Sequence, residues 1–240
     1  SSATGSEDSG IKETLVMGLD DTFAPMGFKD ESGEIVGFDV DLAKEVAERL
    51  DVEITFQPID WAMKETELAS GNIDMIWNGY TITEERKEKV LFTEPYLNNS
   101  QIIVTMADSD IERKADLAGK VVATQQGSAA FDAINADETG IAAEFDGGTA
   151  ILYPTFNDVF NDLESGRSDA IVVDEVLGRY TMKQKGEEKY AVLTDNFGDE
   201  EYGVGLRKDD VALKEAIDEA LNDMRKDGTY DEIYTTWFAE

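Results

Sequence analysis

Short apolar runs alternate along this chain with longer stretches whose apolar residues recur every three or four positions. The first pattern fits buried strands, the second amphipathic helices. Thr14 to Leu19, Val52 to Phe56 and Ile73 to Trp77 are runs of the first kind. Between the first two, Leu42, Val46 and Leu50 with Ala43 and Ala47 form one stripe of a helix, which Asp39 is placed to cap. Glu31 to Glu34 is a turn ahead of it, leading into Ile35 to Phe38. Lys64 to Ser70 predicts a short helix stopped by Gly71. This β-α-β-α-β order predicts a largely parallel sheet with helices on its faces.

The alternation continues. Phe92 to Tyr96 contains Pro95 and is extended, and Gln101 to Met106 predicts a strand. A helical turn at Asp116 to Gly119 precedes a strand over Lys120 to Thr124, and a helix starts at about Ala129. Phe145 to Thr149 is a glycine-rich turn before a short strand, Ile151 to Tyr153. Asn157 to Ser165 predicts a helix, and Ala170 to Val173 a fully apolar strand, with Asp174 opening the next helix. Tyr190 to Leu193 and Tyr202 to Arg207 predict two more strands. A helix from Asp209 to Asp227 ends at Gly228, and Tyr230, Ile233, Tyr234, Trp237 and Phe238 form an aromatic stripe that reads as core. No internal repeat stands out at a fixed period.

The ends of the first three strands carry the candidate chemistry, because ligands of open α/β sheets bind outside the carboxyl ends of strands. Asp20 and Phe23 follow the first strand and Trp61 the second. The third opens into Trp77-Asn78-Gly79-Tyr80-Thr81-Ile82-Thr83-Glu84-Glu85-Arg86. Gly79 lets the backbone come close to another group. Thr81 and Thr83 offer hydroxyls, and the amides around them have no evident strand partner. Thr83 is the N-cap of a short helix, and Arg86 sits one turn in. A guanidinium fork beside loose helix-start amides suits a carboxylate. Taken alone, Arg86 reads first as a solvated residue paired with Glu85 or Glu88, and only the rest of the chain turns that reading toward a carboxylate site. Gln125-Gln126-Gly127-Ser128 ahead of Ala129 is a second strand–turn–helix unit of similar chemistry. Ser128 and Asp174 each read as an N-cap, with or without a ligand contact.

The chain has 240 residues, 41% of them hydrophobic, enough for one large or two modest domains. No run of 18 apolar residues exists to span a membrane as a helix. With 53 acidic and 21 basic residues the formal net charge is −32, which excludes a nucleic-acid surface. There is no Cys and no His. That excludes thiol nucleophiles, Ser-His-Asp chemistry, thiolate or imidazole metal sites and disulfides, and no metal or cofactor is expected. The opening SSATGSEDSG, residues 1–10, is small and polar and is expected to be a disordered tether. No leader pattern opens the chain, so a mature or trimmed form is expected.

In this order and at this spacing the motifs resemble the solute-binding proteins of polar amino-acid ABC transporters. The resemblance runs from Thr14 to Phe238. It rests on Phe23-Ala24-Pro25-Met26, Val36-Gly37-Phe38-Asp39-Val40-Asp41-Leu42-Ala43 and Gly79-Tyr80-Thr81-Ile82-Thr83-Glu84-Glu85-Arg86. Phe92-Thr93-Glu94-Pro95-Tyr96, Gln126-Gly127-Ser128, Ser168-Asp169-Ala170 with Asp174, Gly228-Thr229-Tyr230 and Trp237-Phe238 complete it. It implies a two-lobe α/β fold of the type II periplasmic-binding-protein kind, with a mixed, mostly parallel sheet in each lobe and two hinge strands. Lobe 1 would take residues 11–97 and 200–240, and lobe 2 residues 98–199.

The resemblance also implies a site. Arg86 would grip the α-carboxylate of a free amino acid, with Gly79 and Thr81 binding its carboxylate and ammonium groups. Asp174 would take the ammonium from the other lobe, and Phe23 and Trp61 would flank the side chain, with Asp20 at its polar end. Asn78 and Tyr80 belong to the lobe 1 turn, and Gln125, Ser128 and Ala129 to the lobe 2 turn. Glutamine binders of this family often carry Lys where Gln125 stands, and basic amino-acid binders often carry Ser where Asn78 stands; this chain has neither. A glutamine-like, cystine-like or basic ligand is expected, and not an acidic one.

The implied partner is a membrane permease of an ABC transporter. The implied place is extracytoplasmic, in the periplasm or as a lipoprotein on the outer face of the membrane, and the protein is expected to be a monomer. An enzyme is not expected. The alternatives are a cyclohexadienyl or arogenate dehydratase on the same fold, with Asp20 or Asp174 as the acid, and a sensor ligand-binding domain. The end of the chain at Glu240, just after the last helix, argues against the sensor.

Overall fold

The computed structural model describes residues 10–238, so the expected tether lies outside the described residues except for Gly10. The first strand, β1 (Thr14–Leu19), coincides with the first apolar run. Three short strands follow, β2 (Thr22–Phe23), β3 (Gly27–Lys29) and β4 (Ile35–Val36), and form a small antiparallel sheet. Helix α1 (Phe38–Leu50) buries Leu42, Ala43, Val46 and Ala47, the stripe read from the sequence. Its cap, however, is Gly37, and no side chain caps it. Asp39 lies inside the first turn and points into the protein, for a reason that appears at the site.

Strand β5 (Glu53–Pro58), helix α2 (Lys64–Ser70), strand β6 (Met75–Ile76), helix α3 (Glu84–Lys89) and strand β7 (Leu91–Phe92) follow. β1 is parallel to both β5 and β6, as the β-α-β-α-β order requires. The chain then enters a second sheet through β8 (Leu97–Met106), β9 (Val122–Gln125), helix α4 (Ala129–Ala136), β10 (Ile151–Tyr153), helix α5 (Phe156–Glu164) and β11 (Ala170–Asp174). Helix α6 (Glu175–Lys185) and strand β12 (Tyr190–Tyr202) finish that sheet. The chain returns through β13 (Gly205–Leu206), α7 (Val211–Asp227) and α8 (Thr229–Phe238).

The first sheet has the order β5-β1-β6-β13-β7 and the second β10-β9-β11-β8-β12. Each is mixed. In the first, β13 is antiparallel to β6 and β7; in the second, β8 is antiparallel to β11 and β12. β11 lies third of five and is buried at all five positions, which accounts for its unbroken apolar run up to Asp174.

Two expectations are corrected here. Tyr190 to Leu193 and Tyr202 belong to one 13-residue strand, β12. The polar stretch Asp195 to Glu200 is part of it and is paired with β8 in a register that includes Ser100 with Asp199 and Asn99 with Glu200. Backbone partners, not side chains, make this strand, so its polarity hid it. The aromatic stripe of α8 is only partly core. No residue of α8 is fully buried, and Tyr234 is 43% exposed, although Tyr230, Tyr234 and Phe238 all pack on the buried ring of Phe38.

Candidate functional site

The turn after β6 is built from behind by Asp39. Gly79 has φ +58, and a Cβ there would stand 2.6 Å from the Phe23 ring, so only glycine fits. Its N–H donates to Asp39 Oδ2 at 2.7 Å. That is why Asp39 turns inward instead of capping α1. Burial pushes the Asp39 carboxyl up to about 7 despite this bond. The amides of the turn are thus less free than the sequence suggested: Gly79 is held by Asp39, and the Ile82 N–H donates to the Glu201 carbonyl at 2.9 Å.

Thr83 caps α3 by accepting from the Arg86 N–H at 3.1 Å. Arg86 then points back into the turn. It is 5% exposed, donates from Nη1 to the Thr81 carbonyl at 2.8 Å, and lies 4.6 Å over the Tyr80 ring. Among the described residues it forms no ion pair, with Glu85, Glu88 or any other acid. A buried guanidinium with donors to spare is equipped to take an anion.

The second sheet presents its own groups to the same space. Ser128 accepts from the Phe131 N–H at 3.1 Å as the N-cap of α4, and its hydroxyl donates to the Gln125 carbonyl at 2.7 Å. Asp174, at the end of β11, occupies the N-cap position of α6 but makes no capping bond. Asn99 takes that task, its Oδ1 accepting from the Val176 N–H at 3.2 Å. Asp174 instead accepts from Gln101 Nε2 at 3.0 Å and from the Tyr202 hydroxyl. Burial first, then the nearby Glu200, pushes the Asp174 carboxyl up to about 7, against the pull of Arg86.

These groups face one small, nearly closed cavity of about 10 Å³ between the two sheets. Phe23, Trp61, Gly79, Thr81 and Arg86 line it from one side, and Gln125, Ser128, Ala129 and Asp174 from the other. Phe156, missed in the sequence, also lines it, with its ring 5.8 Å from that of Phe23. Its signal was the turn before α5: Thr155 caps that helix, which makes Phe156 its first residue.

Three expected residues stand behind this lining. Asp20 accepts from Thr22 at one oxygen and from Gln125 Nε2 at the other, 3.0 Å away. Burial raises its pKa, and the hydrogen bonds from Thr22 and Gln125 oppose the rise. Asn78 Nδ2 holds the Asp20 carbonyl at 2.7 Å. Tyr80 supports Arg86 by its ring and donates to Glu65 at 2.9 Å.

Lys64 carries more than its place in α2 suggested. It is 3% exposed, lies over the Trp61 ring, and donates to the Trp61 carbonyl at 3.0 Å and the Gly127 carbonyl at 2.9 Å. Arg86 Nη2 reaches the same Gly127 oxygen at 3.3 Å. Burial and then Arg86 lower the Lys64 pKa to about 8. One pole of the cavity is therefore cationic and the other, at Asp174 and Glu200, anionic. Among the described residues no group of His, Cys, Asp or Glu is arranged to hold a metal ion.

Two mixed α/β sheets joined by two passages of chain, with opposite buried charges facing a cavity between them, define a two-lobe solute-binding fold. The chain belongs to the bacterial extracellular solute-binding proteins, family 3, whose model matches residues 15–240. It is 33% identical over 244 residues to the lysine/arginine/ornithine-binding periplasmic protein of Escherichia coli (strain K12), covering 99% of this chain and 92% of that one. Among solved structures it is similar to an ABC uptake transporter substrate binding protein from Streptococcus pneumoniae with bound histidine. That match has a TM-score of 0.92 and 39% identity over 95% of this chain and 93% of the other. An ancestral arginine-binding protein bound to glutamine matches at a TM-score of 0.87, 41% identity and 96% and 100% coverage.

Proposed function

We propose that the protein clamps a free polar L-amino acid between its lobes and delivers it to the permease of an ABC transporter. One observation carries this reading. Arg86 and Asp174 are buried, oppositely charged and face one cavity, yet they form no ion pair with each other or with any other described residue. Unpaired buried charges are costly, and a zwitterion satisfies both at once. Arg86 takes the α-carboxylate and Asp174 the α-ammonium. Gly79, Thr81, Ser128 and Ala129 surround these two groups. Phe23, Trp61 and Phe156 flank the side chain, and Asp20 and Gln125 stand near its polar end.

The names of the relatives, which speak of lysine, arginine, ornithine, histidine and glutamine, support a polar ligand in the glutamine-like, cystine-like or basic range. The lobes are residues 11–97 with 200–240, and residues 98–199; the membership of the two sheets supports this division. Closure is supported by contacts between the lobes at Lys64 and Gly127, Asp20 and Gln125, and Phe23 and Phe156. The reading places the protein outside the cytoplasm, as a monomer, with no catalytic step.

A thermal-shift screen with the twenty amino acids and cystine tests this. A ligand at 100 times its Kd stabilises by about 2.7 kcal/mol. The expected result is a shift with a polar, non-acidic amino acid. No shift with any of them, or glutamate or aspartate as the tightest ligand, would overturn the reading.

A further inference from the structure

Glu200 lies near the end of β12, opposite Asn99 of β8, where the chain passes between the sheets. Its Oε1 accepts three hydrogen bonds: from Thr81 Oγ1 at 2.7 Å, Asn99 Nδ2 at 2.8 Å and Gln101 Nε2 at 2.6 Å. Each donor leads directly to a part of the candidate site. The Thr81 carbonyl holds Arg86 Nη1. Gln101 stands opposite Asp174 in the β8–β11 register, and the same Nε2 donates to Asp174 Oδ1 at 3.0 Å. Asn99 takes over the cap of α6 through the Val176 N–H, which leaves the Asp174 carboxylate uncommitted to its own helix.

One carboxylate oxygen on the crossing strand therefore stands a single residue from both charged poles. Glu200 does not line the cavity. We infer that Glu200 is the positioning residue of this site: through Thr81 and Gln101 it fixes how Arg86 and Asp174 face each other, so that both meet one zwitterion. The inference rests on the amino-acid clamp proposed above. Charge is part of the role. The charged and titratable groups that act on Asp174 are Glu200 and Tyr202 from β12 and Arg86 from α3, and of these Glu200 repels its ionised form. An ammonium ligand needs Asp174 ionised, so binding weakens as pH falls through the Asp174 pKa, which is about 7.

Two variants separate reach from charge. Glu200→Asp keeps the charge but is one methylene too short to hold all three donors. Glu200→Gln keeps the length and an accepting oxygen but loses the charge. The probe is the tightest wild-type binder among L-arginine, L-lysine, L-glutamine and L-cystine, titrated by calorimetry from pH 5 to 8.5, with circular dichroism as the folding control. Glu200→Asp is expected to bind about tenfold more weakly, with its acid limb near the wild-type position. Glu200→Gln is expected to bind within about threefold of wild type at pH 8, with its acid limb moved to lower pH because the repulsion of Asp174 is gone. A bystander at the strand crossing would shift neither quantity. Wild-type affinity and a wild-type pH profile in both folded variants would overturn the inference while leaving the clamp intact. Failure of the wild type to bind any of the twenty amino acids or cystine would overturn the clamp and the inference with it.

Discussion

Lys64 Nζ lies 2.9 Å from the Gly127 carbonyl oxygen, an ammonium of the first lobe bonded to a turn of the second. Arg86 Nη2 shares that oxygen at 3.3 Å. Lys64 does not line the cavity; its bond joins the two sides of the cavity beside Arg86. The bond is formed at the expense of burying the charge, which is what lowers the Lys64 pKa to about 8.

Lys64→Met should therefore act on both folding and binding. It strips the 3.5 Å ion pair from Glu65 and the donor from the Trp61 and Gly127 carbonyls, so the thermal midpoint of the ligand-free protein is expected to fall. The interlobe bond is removed too. A hydrogen bond to a charged group contributes about 1.5–3 kcal/mol, and ligand affinity is expected to fall by about tenfold or more. Calorimetric titration beside a melting curve checks both, and unchanged affinity would remove Lys64 from the closing contact.

Gly127 accepts that contact from a backbone position that suits glycine. Its φ is +67, and a Cβ there would stand 3.1 Å from Ala62 Cα in the other lobe. Gly127→Ala is expected to destabilise its own turn by about 1 kcal/mol, and to weaken ligand binding by at least about fivefold by propping the lobes apart. Small-angle scattering should show ligand contracting the wild type and contracting this variant less. Equal contraction would argue that the two loops do not meet on closure.

Asp174 has no capping bond to lose, so Asp174→Asn is expected to fold normally. Truncating one partner of a buried charge pair costs about 2–5 kcal/mol, and even the conservative amide should weaken binding at least about tenfold. Arg86→Lys should also bind poorly, because an ammonium lacks the two-pronged fork. Wild-type affinity in folded Asp174→Asn would remove the ammonium partner and with it most of the case for an α-amino acid.

Asp39 gives a pH signature to folding itself. Its carboxyl is raised from 3.8 to about 7 by burial. The folded protein therefore holds a proton that the unfolded chain releases between those values. Its contribution is present below about pH 4 and is lost as pH rises through about 7, with a slope of at most about 1.4 kcal/mol per pH unit. Asp39→Asn keeps an oxygen for the Gly79 N–H and removes the titration. Denaturant unfolding from pH 4.5 to 8 should show a shallower decline in this variant than in the wild type. Parallel curves would show that the carboxyl is not held neutral.

The sequence by itself determined the strands and helices that depend on side-chain period, the turn from Trp77 to Thr83, the Thr83 and Ser128 caps and the class of fold. Each of these is written within a window of a few residues: β1 in the short run Thr14 to Leu19, α1 in a stripe, α3 in Thr83 and the acids after it. What acts across the chain was not legible. Asp39 reads as a cap because its neighbours form a helix; only the structure brings Gly79, 40 residues on, to its carboxylate. Glu200 sits in a polar stretch that looks like a link, and its bond to Thr81 spans 119 residues. Asp174 has the letter of an N-cap but faces the cavity, because Asn99 from another strand does the capping. The contacts of Lys64 and Gln125 with the opposite lobe depend on how two separately folded sheets meet, and no local pattern of hydrophobic and polar positions encodes that distance.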